Sequence, residues 1–386
     1  MKICILTPRF PFPENGGDVL RINNIARYLK KQGHELILIS FHESCTDMVS
    51  AKKLYNKIYI VKRKKTESAL YSLLFLISGK PIQCGYYYSK RFWRLFKRIK
   101  ATEKPDRYIA HLVRMSTYLV KANVENISTI EMTDALSKTY SLSSKAKGFF
   151  LKKYIYYIEK SLMKRFEKYI IEIFPKVVIV SQTDINYLKA TINTKQESLY
   201  LHTNGVECIP TISPKYDNNK ICFIGNMRTL QNQDAVMHFA NDIFPIILKH
   251  NPNAKFHIVG AEPSEDIINL ATNKKNIIVT GFIEDLTAYI SDSCIAVAPV
   301  QIAAGIQNKV LVAMGTGIPV IMTSLISKAI PELINNENCI IQDDNNTFAE
   351  ECLSLMGNCI LRNKIASRGY EMVKTNYSWN IKLKGY

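Results

Sequence analysis

The chain has 386 residues, of which 47% are hydrophobic, and it carries a formal net charge of +18. This length is natural for two domains, and the apolar content excludes a globally disordered chain because it suffices to build substantial cores. The excess charge lies in the first half, since residues 1–200 hold 36 Lys and Arg against 16 Asp and Glu, whereas residues 201–386 hold 15 against 17. An anionic partner is therefore expected for the first half alone, unless that half simply has a solvated basic face.

Short apolar runs alternate with amphipathic segments along the first half. Residues 2–7 predict a strand, and residues 18–33 have a helical period that ends at a glycine. Further strands are predicted at 35–41, 57–61, 107–112, 127–132, 176–181 and 198–203. Strands that alternate with helices are typical of a parallel sheet covered on both faces.

The same rhythm restarts after residues 211–220, a polar segment with proline that we interpret as a linker. Strands are predicted at 220–225, 255–260, 276–281, 294–300, 318–323 and 339–343. Several of them end at or just before a glycine, as strands do when they turn tightly into a helix. The sequence therefore predicts an α/β fold of two doubly wound, Rossmann-like domains that face each other across a cleft.

Cysteine usage and hydropathy indicate the compartment. Nine cysteines occur singly, without a CxxC pair or a metal-like cluster with histidine, which favours a reducing cytoplasm. The N-terminus passes from an apolar strand directly to proline, so it does not resemble a signal peptide. The longest apolar stretch, residues 69–79, is too short to cross a bilayer. We expect a soluble or peripheral protein.

Two loops that follow predicted strands have residue types suited to phosphate. Gly16 and Gly17 would let backbone amides approach a phosphate at a helix N-terminus, and Asp18 can cap that helix, although an ordinary strand-to-helix loop explains the pair equally well. In the loop after 220–225, Gly225 closes the strand and Asn226 lies at the carboxyl edge of the sheet, where open α/β sheets bind ligands. Arg228 is suited to a diphosphate or to an ordinary exposed position.

Residues 305–320, GIQNKVLVAMGTGIPV, form the strongest motif. They follow the strand at 294–300 and open a helix, so the amides of Gly305, Ile306, Gln307 and Asn308 lie at a helix N-terminus. Lys309 adds a full positive charge. We interpret this stretch as a diphosphate site rather than as a helix with a surface lysine.

These motifs resemble those of the GT-B glycosyltransferases of the retaining group 4 family, which transfer sugars from nucleotide donors. The matching residues are Gly16–Gly17, Asn204–Gly205–Val206, Gly225, Met227 and Asn232, then Gly281, Phe282 and Asp285, the 305–320 motif and the terminal YSW at 377–379. The resemblance covers nearly the whole chain. It implies an acceptor-binding domain at 1–208, a nucleotide-sugar domain at 209–371, and a segment at 372–386 that packs back on the first domain.

The chain departs from this family at the donor site. The family commonly has two glutamates eight positions apart, the second of which contacts the donor ribose, and Ala304 and Val312 occupy those positions. The Arg and Lys of many members align with Asn226 and Asn232. Diphosphate charge then falls to Lys309, Arg228 and the backbone amides.

The first half is expected to hold the acceptor. Arg114 and Asp134 each follow a predicted strand, which places them at the carboxyl edge, and the resemblance has similar residues there. His111 ends the same strand as Arg114 but is more typical of a structural histidine. Residues 85–100 and 147–170 mix aromatic and basic residues, as helices on an anionic membrane do; packing on their own sheet is the alternative for 147–170.

The leading hypothesis is a retaining, metal-independent glycosyltransferase on the inner face of the cell membrane. It would move a sugar from a nucleotide-diphosphate sugar to a lipid-linked or other anionic glycan in bacterial surface polysaccharide synthesis. No Asp-x-Asp motif occurs, and neither a metal nor another cofactor is expected. The alternatives are a non-catalytic homologue that binds glycans or proteins, and a sugar-nucleotide epimerase on the same fold. Nucleic-acid binding lacks a recognisable reader motif and is not expected.

Overall fold

A computed structural model describes residues 1–14, 16–42, 47–145, 150–192, 196–209, 216–301 and 306–386. The chain divides into two compact units. Unit 1 comprises Met1–Asn204 with Leu383–Tyr386, and unit 2 comprises Gly205–Lys382. Of the segment 372–386 that was expected to return to the first domain, the last four residues belong to unit 1 and the remainder belongs to unit 2.

The described part of unit 1 contains a seven-stranded parallel sheet. Its strands are β1 (Lys2–Thr7), β2 (Glu35–His42), β3 (Lys57–Lys62), β4 (Arg107–His111), β5 (Ser128–Thr133), β6 (Lys176–Ile179) and β7 (Leu199–Leu201). They lie in the order β3-β2-β1-β4-β5-β6-β7. The order reverses between β1 and β4, and this makes their carboxyl ends the switch point at which open α/β sheets bind ligands.

Helices cover this sheet. They are α1 (Gly17–Lys31), α2 (Met48–Leu54), α3 (Lys65–Ile77), α4 (Ile82–Tyr86), α5 (Lys90–Glu103), α6 (Ser116–Lys121), α7 (Leu136–Lys145), α8 (Phe150–Ile173) and α9 (Gln182–Thr191). Short 3-10 turns occur at Val113–Met115, Glu125–Ile127 and Gln196–Ser198.

The two segments proposed for membrane contact differ in the structure. On α5 the rings of Phe92 and Phe96 are fully buried and contact Phe41 and Tyr108 in the core of unit 1. The expectation that the rings of 85–100 face a membrane is therefore wrong for these two phenylalanines, because the aromatic side of the helix packs against its own sheet. On α8, by contrast, Tyr157 is exposed.

Unit 2 repeats the doubly wound plan with six parallel strands in its described part. These are β8 (Asp217–Ile224), β9 (Lys255–Val259), β10 (Ile277–Gly281), β11 (Ser293–Ala298), β12 (Val320–Met322) and β13 (Ile340–Ile341), in the order β10-β9-β8-β11-β12-β13. The switch point lies between β8 and β11. This arrangement confirms the predicted fold of two Rossmann-like α/β domains.

The helices of unit 2 are α10 (Leu230–His238), α11 (Phe244–His250), α12 (Glu265–Asn273), α13 (Leu286–Ile290), α14 (Asn308–Gly315), α15 (Ser324–Ser327), α16 (Asn345–Gly357), α17 (Cys359–Asn376) and α18 (Trp379–Lys382), with a π-helical turn at Phe239–Ile243. The rings of Phe239, Phe244 and Phe256 contact one another in its core. Within the described ranges of both units, none of the helices has the length and apolar character that spanning a membrane requires.

Candidate active site

The loop after β8 is fastened to the loop after β9. The amide of Gly225 donates to the carbonyl of Val259 over 3.0 Å, and the amide of Met227 donates to the carbonyl of Ala261 over 2.9 Å. These bonds leave Asn226 exposed at the carboxyl end of β8. The predicted residue Asn226 therefore lies at the switch point of unit 2.

Gly260 makes this close approach possible. Its φ is 150°, and a Cβ built on it would lie 1.7 Å from the carbonyl oxygen of Gly225. A larger residue would force the two loops apart. The sequence analysis noted the glycine that ends this strand but did not assign it to the site, because the contact with Gly225 joins residues that are distant in sequence.

Lys309 lies beside this loop. Its ammonium donates to the Oδ1 of Asn232 and sits 4.7 Å from the ring centroid of Phe223. The Nδ2 of Asn232 donates in turn to the carbonyl of Asn226 over 2.8 Å. A Cβ on Gly225 would lie 2.6 Å from that Nδ2, so this glycine leaves the room that Asn232 occupies.

Asn232 thus brings Lys309 of the 305–320 motif together with Gly225 and Asn226 of the loop after β8. The sequence predicted all three as donor-site residues. Burial lowers the pKa of Lys309 to about 8, so its ammonium is charged at neutral pH but poorly solvated. A poorly solvated cation interacts more strongly with an incoming anion than one in bulk water.

Helix α14 adds positive potential at the same edge. Its N-cap is Gln307, which is 8% exposed, while Ile306 and Asn308 are exposed. The first amides of a helix have no intrahelical partner, so the helix N-terminus attracts phosphate. Gly305 and Ala304 lie outside the described residues, so the placement predicted for Gly305 has no structural counterpart here.

Arg228 and Val312 are the two other donor-site positions that the sequence singled out, and the structure gives the contacts of both. Arg228 is 73% exposed, and its Nε donates to Glu262 over 2.6 Å, although its backbone amide donates to the Oδ1 of Asn226 over 2.9 Å. Its guanidinium is therefore engaged with a carboxylate. Val312, at the position of the family's ribose-binding glutamate, is half-buried and packs against the core of unit 2.

In unit 1 the glycine pair begins α1. Gly16 is the N-cap with φ 119°, and a Cβ on it would lie 2.8 Å from the Nη2 of Arg9. Asp18 lies in the first turn of α1, and its carboxylate accepts from the Nε of Arg9 over 3.0 Å. The expectation that Asp18 is the N-cap is wrong, because the helix begins one residue before it and Gly16 is the N-cap.

A buried ion pair joins α1 to β5. Arg21 on α1 is 1% exposed and donates to Glu131 on β5 over 2.7 Å, and a second donor of the same guanidinium reaches the Oδ1 of Asn204 over 3.0 Å. Neither Arg21 nor Glu131 was predicted from the sequence as a functional residue. The available signal was a glutamate inside the apolar run of β5, a position that needs a buried partner.

The predicted acceptor residues occupy neighbouring strand ends in unit 1. Arg114 follows β4 and stacks its guanidinium 4.7 Å from the ring centroid of Tyr87. Asp134 follows β5 directly and is exposed. No ion pair joins Arg114 to Asp134 in the part of the chain that the structure describes, so the two are separate candidates.

His111 is the last residue of β4 and is 1% exposed. Neither ring nitrogen has a hydrogen-bond partner among the described residues. Burial, together with the positive charges of Arg21 and Arg114, lowers its pKa to about 3 despite the opposing charge of Asp18, so the ring is neutral at pH 7. His111 therefore lies buried and neutral at the end of β4, as the sequence analysis expected of a structural histidine.

Comparison with known proteins agrees with this architecture. The family model of the glycosyl transferases group 1 matches residues 218–358, which lie within unit 2. An uncharacterized 44.6 kDa protein in the cps region of Klebsiella pneumoniae is 24% identical over 393 residues, covering 97% of this chain and 96% of that protein.

Two solved structures illustrate the likeness in fold. Alr3699/HepE of Anabaena in complex with UDP-glucose superposes with a TM-score of 0.62 at 12% identity, over 100% of this chain and 98% of that chain. WaaG, a glycosyltransferase involved in lipopolysaccharide biosynthesis, superposes with a TM-score of 0.59 at 14% identity, over 99% of this chain and 98% of that chain. At these identities the structures show the fold. The family model therefore relates residues 218–358 to the group 1 glycosyl transferases, and the solved structures show that the chain has the GT-B fold.

Proposed function

We propose that the protein is a retaining glycosyltransferase that takes its sugar from a nucleoside-diphosphate sugar bound at the carboxyl edge of the unit 2 sheet. The observation that carries the proposal is the cluster at the β8–β11 switch point. There Lys309 and the N-terminus of α14 supply positive potential beside the exposed Asn226. UDP-glucose in the complex of Alr3699/HepE, whose fold this chain shares, supports a uridine donor.

In this proposal the donor diphosphate lies between the loop after β8 and the start of α14. The ammonium of Lys309 exchanges its bond with Asn232 for a phosphate oxygen, while the α14 amides donate to the other oxygens. As the bond to the sugar breaks, negative charge grows on the leaving diphosphate, and these preorganised donors stabilise it.

The reaction as proposed needs neither a metal nor a side-chain nucleophile. The leaving phosphate accepts the proton of the attacking hydroxyl, so that attack and departure take place on the same face of the sugar and the configuration is retained. Lys309 and the helix end supply the positive charge that a metal would otherwise bring.

We propose a lipid-linked or other anionic glycan as the acceptor, bound by unit 1 with Arg114 and Asp134 near the reacting hydroxyl. The positive balance of residues 1–200 supports an anionic acceptor and a position on the inner face of the cell membrane. A relative from a cps region and a structural neighbour involved in lipopolysaccharide biosynthesis support a role in surface polysaccharide synthesis.

One observation favours a second candidate, a non-catalytic homologue that binds glycans or proteins. Val312 packs against the core where the family has its ribose-binding glutamate. Loss of a ribose hydrogen-bond pair weakens donor binding by about 1–3 kcal/mol, or roughly tenfold to a hundredfold. This loss weakens a donor site without removing the diphosphate contacts, so we place the catalytic proposal first.

A thermal-shift titration tests the proposal. Wild type, Lys309→Ala and the matched exposed lysine variant Lys328→Ala are titrated with UDP, GDP, ADP and CMP. A ligand at a hundred times its Kd adds about 2.7 kcal/mol of stability. The proposal expects one diphosphate to raise the Tm of wild type and Lys328→Ala but not of Lys309→Ala. If none of the four does so at millimolar concentration, the non-catalytic candidate takes its place.

A further inference from the structure

Helix α3 turns an apolar stripe outward. Leu70, Leu73, Leu74 and Ile77 are 55%, 55%, 46% and 74% exposed, and their spacing places them on one face of the helix. Scattered exposed apolar residues are ordinary, whereas a contiguous apolar stripe indicates an interaction surface. We call these four residues the α3 stripe.

The opposite side of α3 is firmly held, so the stripe is not the product of a loosely packed helix. Tyr71 and Phe75 contact the ring of Tyr88, with centroids 4.7 Å and 5.7 Å away. Glu67 accepts from the hydroxyl of Ser89 over 3.1 Å and from the amide of Lys90 over 2.9 Å. These bonds cap α5 and fix the register of α3.

Helices α4 and α8 complete a frame around α3. A Cβ on Gly85 would lie 2.3 Å from the carbonyl oxygen of Tyr71, so α4 approaches α3 as closely as glycine allows. Glu159 on α8 accepts from the amides of Ile82 and Gln83 over 2.8 Å and 2.9 Å, and thereby caps α4. Because the carboxylate of Glu159 is buried and both of its oxygens accept hydrogen bonds, it holds α4 against α8.

A pocket of about 780 Å³ opens within this frame, a volume typical of small-molecule sites. Tyrosine, phenylalanine and aliphatic side chains form most of its wall, and Leu74 belongs both to the wall and to the α3 stripe. Its charged lining residues, as far as the structure describes them, are all basic: Lys80, Lys121 and Arg165.

We propose that this pocket and the α3 stripe form a lipid site, in which the hydrocarbon chain of an anionic membrane lipid enters the pocket and its phosphate meets the basic residues. An apolar interior with a basic border matches the two ends of such a lipid. A neutral lipid would offer the three cations no anionic partner. The inference deepens the acceptor side of the proposed function, on which it rests in taking the acceptor to be lipid-linked.

Flotation of the full chain with vesicles tests the stripe and the charges. One set of vesicles contains phosphatidylcholine with about 30% phosphatidylglycerol, and the other contains phosphatidylcholine alone. We expect wild type to float with the anionic vesicles only. Leu73→Glu/Ile77→Glu should weaken this binding by about a hundredfold, because two apolar side chains are lost from the bilayer. Lys80→Gln/Arg165→Gln should weaken it by about thirtyfold.

A matched control replaces two exposed isoleucines of unit 2, in the variant Ile268→Glu/Ile360→Glu, and should float like wild type. Val120→Trp tests the pocket by filling it, and Ser78→Trp blocks its exposed rim with less risk to folding. Both should weaken flotation by about tenfold if a chain enters.

The lipid site would be overturned if wild type floated equally with both vesicle types, or if Leu73→Glu/Ile77→Glu did not weaken flotation. It would also be overturned if neither Val120→Trp nor Ser78→Trp weakened flotation. A wild-type dimer that Leu73→Glu/Ile77→Glu converts into monomers without vesicle binding would make the stripe a contact between copies. The UDP-dependent shift in Tm of the same variants, measured without vesicles, distinguishes failure of the lipid site from failure of the proposed donor site. A normal UDP response with no flotation overturns the lipid site alone, whereas flotation without a UDP response overturns the donor site alone.

Discussion

Replacing Lys309 by methionine is expected to stabilise the free protein. Burial lowers the pKa of Lys309 from 10.5 to about 8, so the folded state holds this ammonium less favourably than the unfolded chain does. At about 1.4 kcal/mol per pKa unit, the difference amounts to about 3 kcal/mol at neutral pH. The lost hydrogen bond to Asn232 offsets about 1 kcal/mol of this, which leaves a net gain of about 2 kcal/mol in the free energy of unfolding.

The difference between the pKa of Lys309 in the folded and unfolded states also sets how stability changes with pH. Between pH 8 and 10.5 the folded protein has released the Lys309 proton while the unfolded chain still holds it, so wild-type stability from this group rises with pH in that window. The advantage of the variant is therefore full below pH 8 and shrinks above it.

Urea unfolding at pH 7 and pH 10 measures both effects, with Lys328→Met as the control on an exposed lysine. Lys309→Met should be the more stable protein at pH 7, and its advantage should be smaller at pH 10. A variant less stable than wild type at pH 7, or an advantage independent of pH, would refute the reasoning.

Three further predictions concern other parts of the two units. Gly260→Ala should lower the free energy of unfolding by about 2 kcal/mol or more and abolish the UDP-dependent shift in Tm, because its Cβ would displace the loop of Gly225; an unchanged Tm would contradict this. Glu131→Leu should cost about 3–5 kcal/mol in urea unfolding by leaving the buried charge of Arg21 without its carboxylate partner, and Arg21→Met in the same chain should recover most of it. Val312→Glu should tighten UDP binding about tenfold to a hundredfold in a calorimetric titration, with a smaller gain for 2′-deoxy-UDP; an unchanged affinity would contradict the ribose contact expected at this position.

Much of the fold follows from local patterns in the sequence. The strands from β1 to β13 coincide with short apolar runs, because a strand buried on both faces needs apolar residues at nearly every position. The strand order comes from the structure, and it is this order that brings the loops after β8 and β11 to one switch point.

The structure adds contacts between residues that are distant in the chain. Asn232 joins Lys309 to Asn226, and Gly260 makes room for Gly225, but neither pairing leaves a periodic signal. Asp18 is a further example, since the local sequence suggested a helix cap whereas the structure pairs its carboxylate with Arg9.

Amphipathic helices show a second limit. The period of α5 predicts an apolar face but not its partner, and the structure turns Phe92 and Phe96 into the core rather than towards a membrane. The α3 stripe is the opposite case: its apolar content suggests burial, yet Leu73 and Ile77 face outward because Tyr71 and Phe75 already fill the inner side.

The central claim is that Lys309 anchors a nucleoside diphosphate at the β8–β11 edge. Calorimetric titration of wild type and Lys309→Ala with UDP at pH 7 and pH 9.5 tests it most directly. Wild type should bind at pH 7 and lose about tenfold or more in affinity at pH 9.5, as the ammonium with a pKa of about 8 loses its proton. Lys309→Ala should bind weakly at both pH values. Equal affinity of the two proteins, or no binding of UDP to wild type, would contradict the claim.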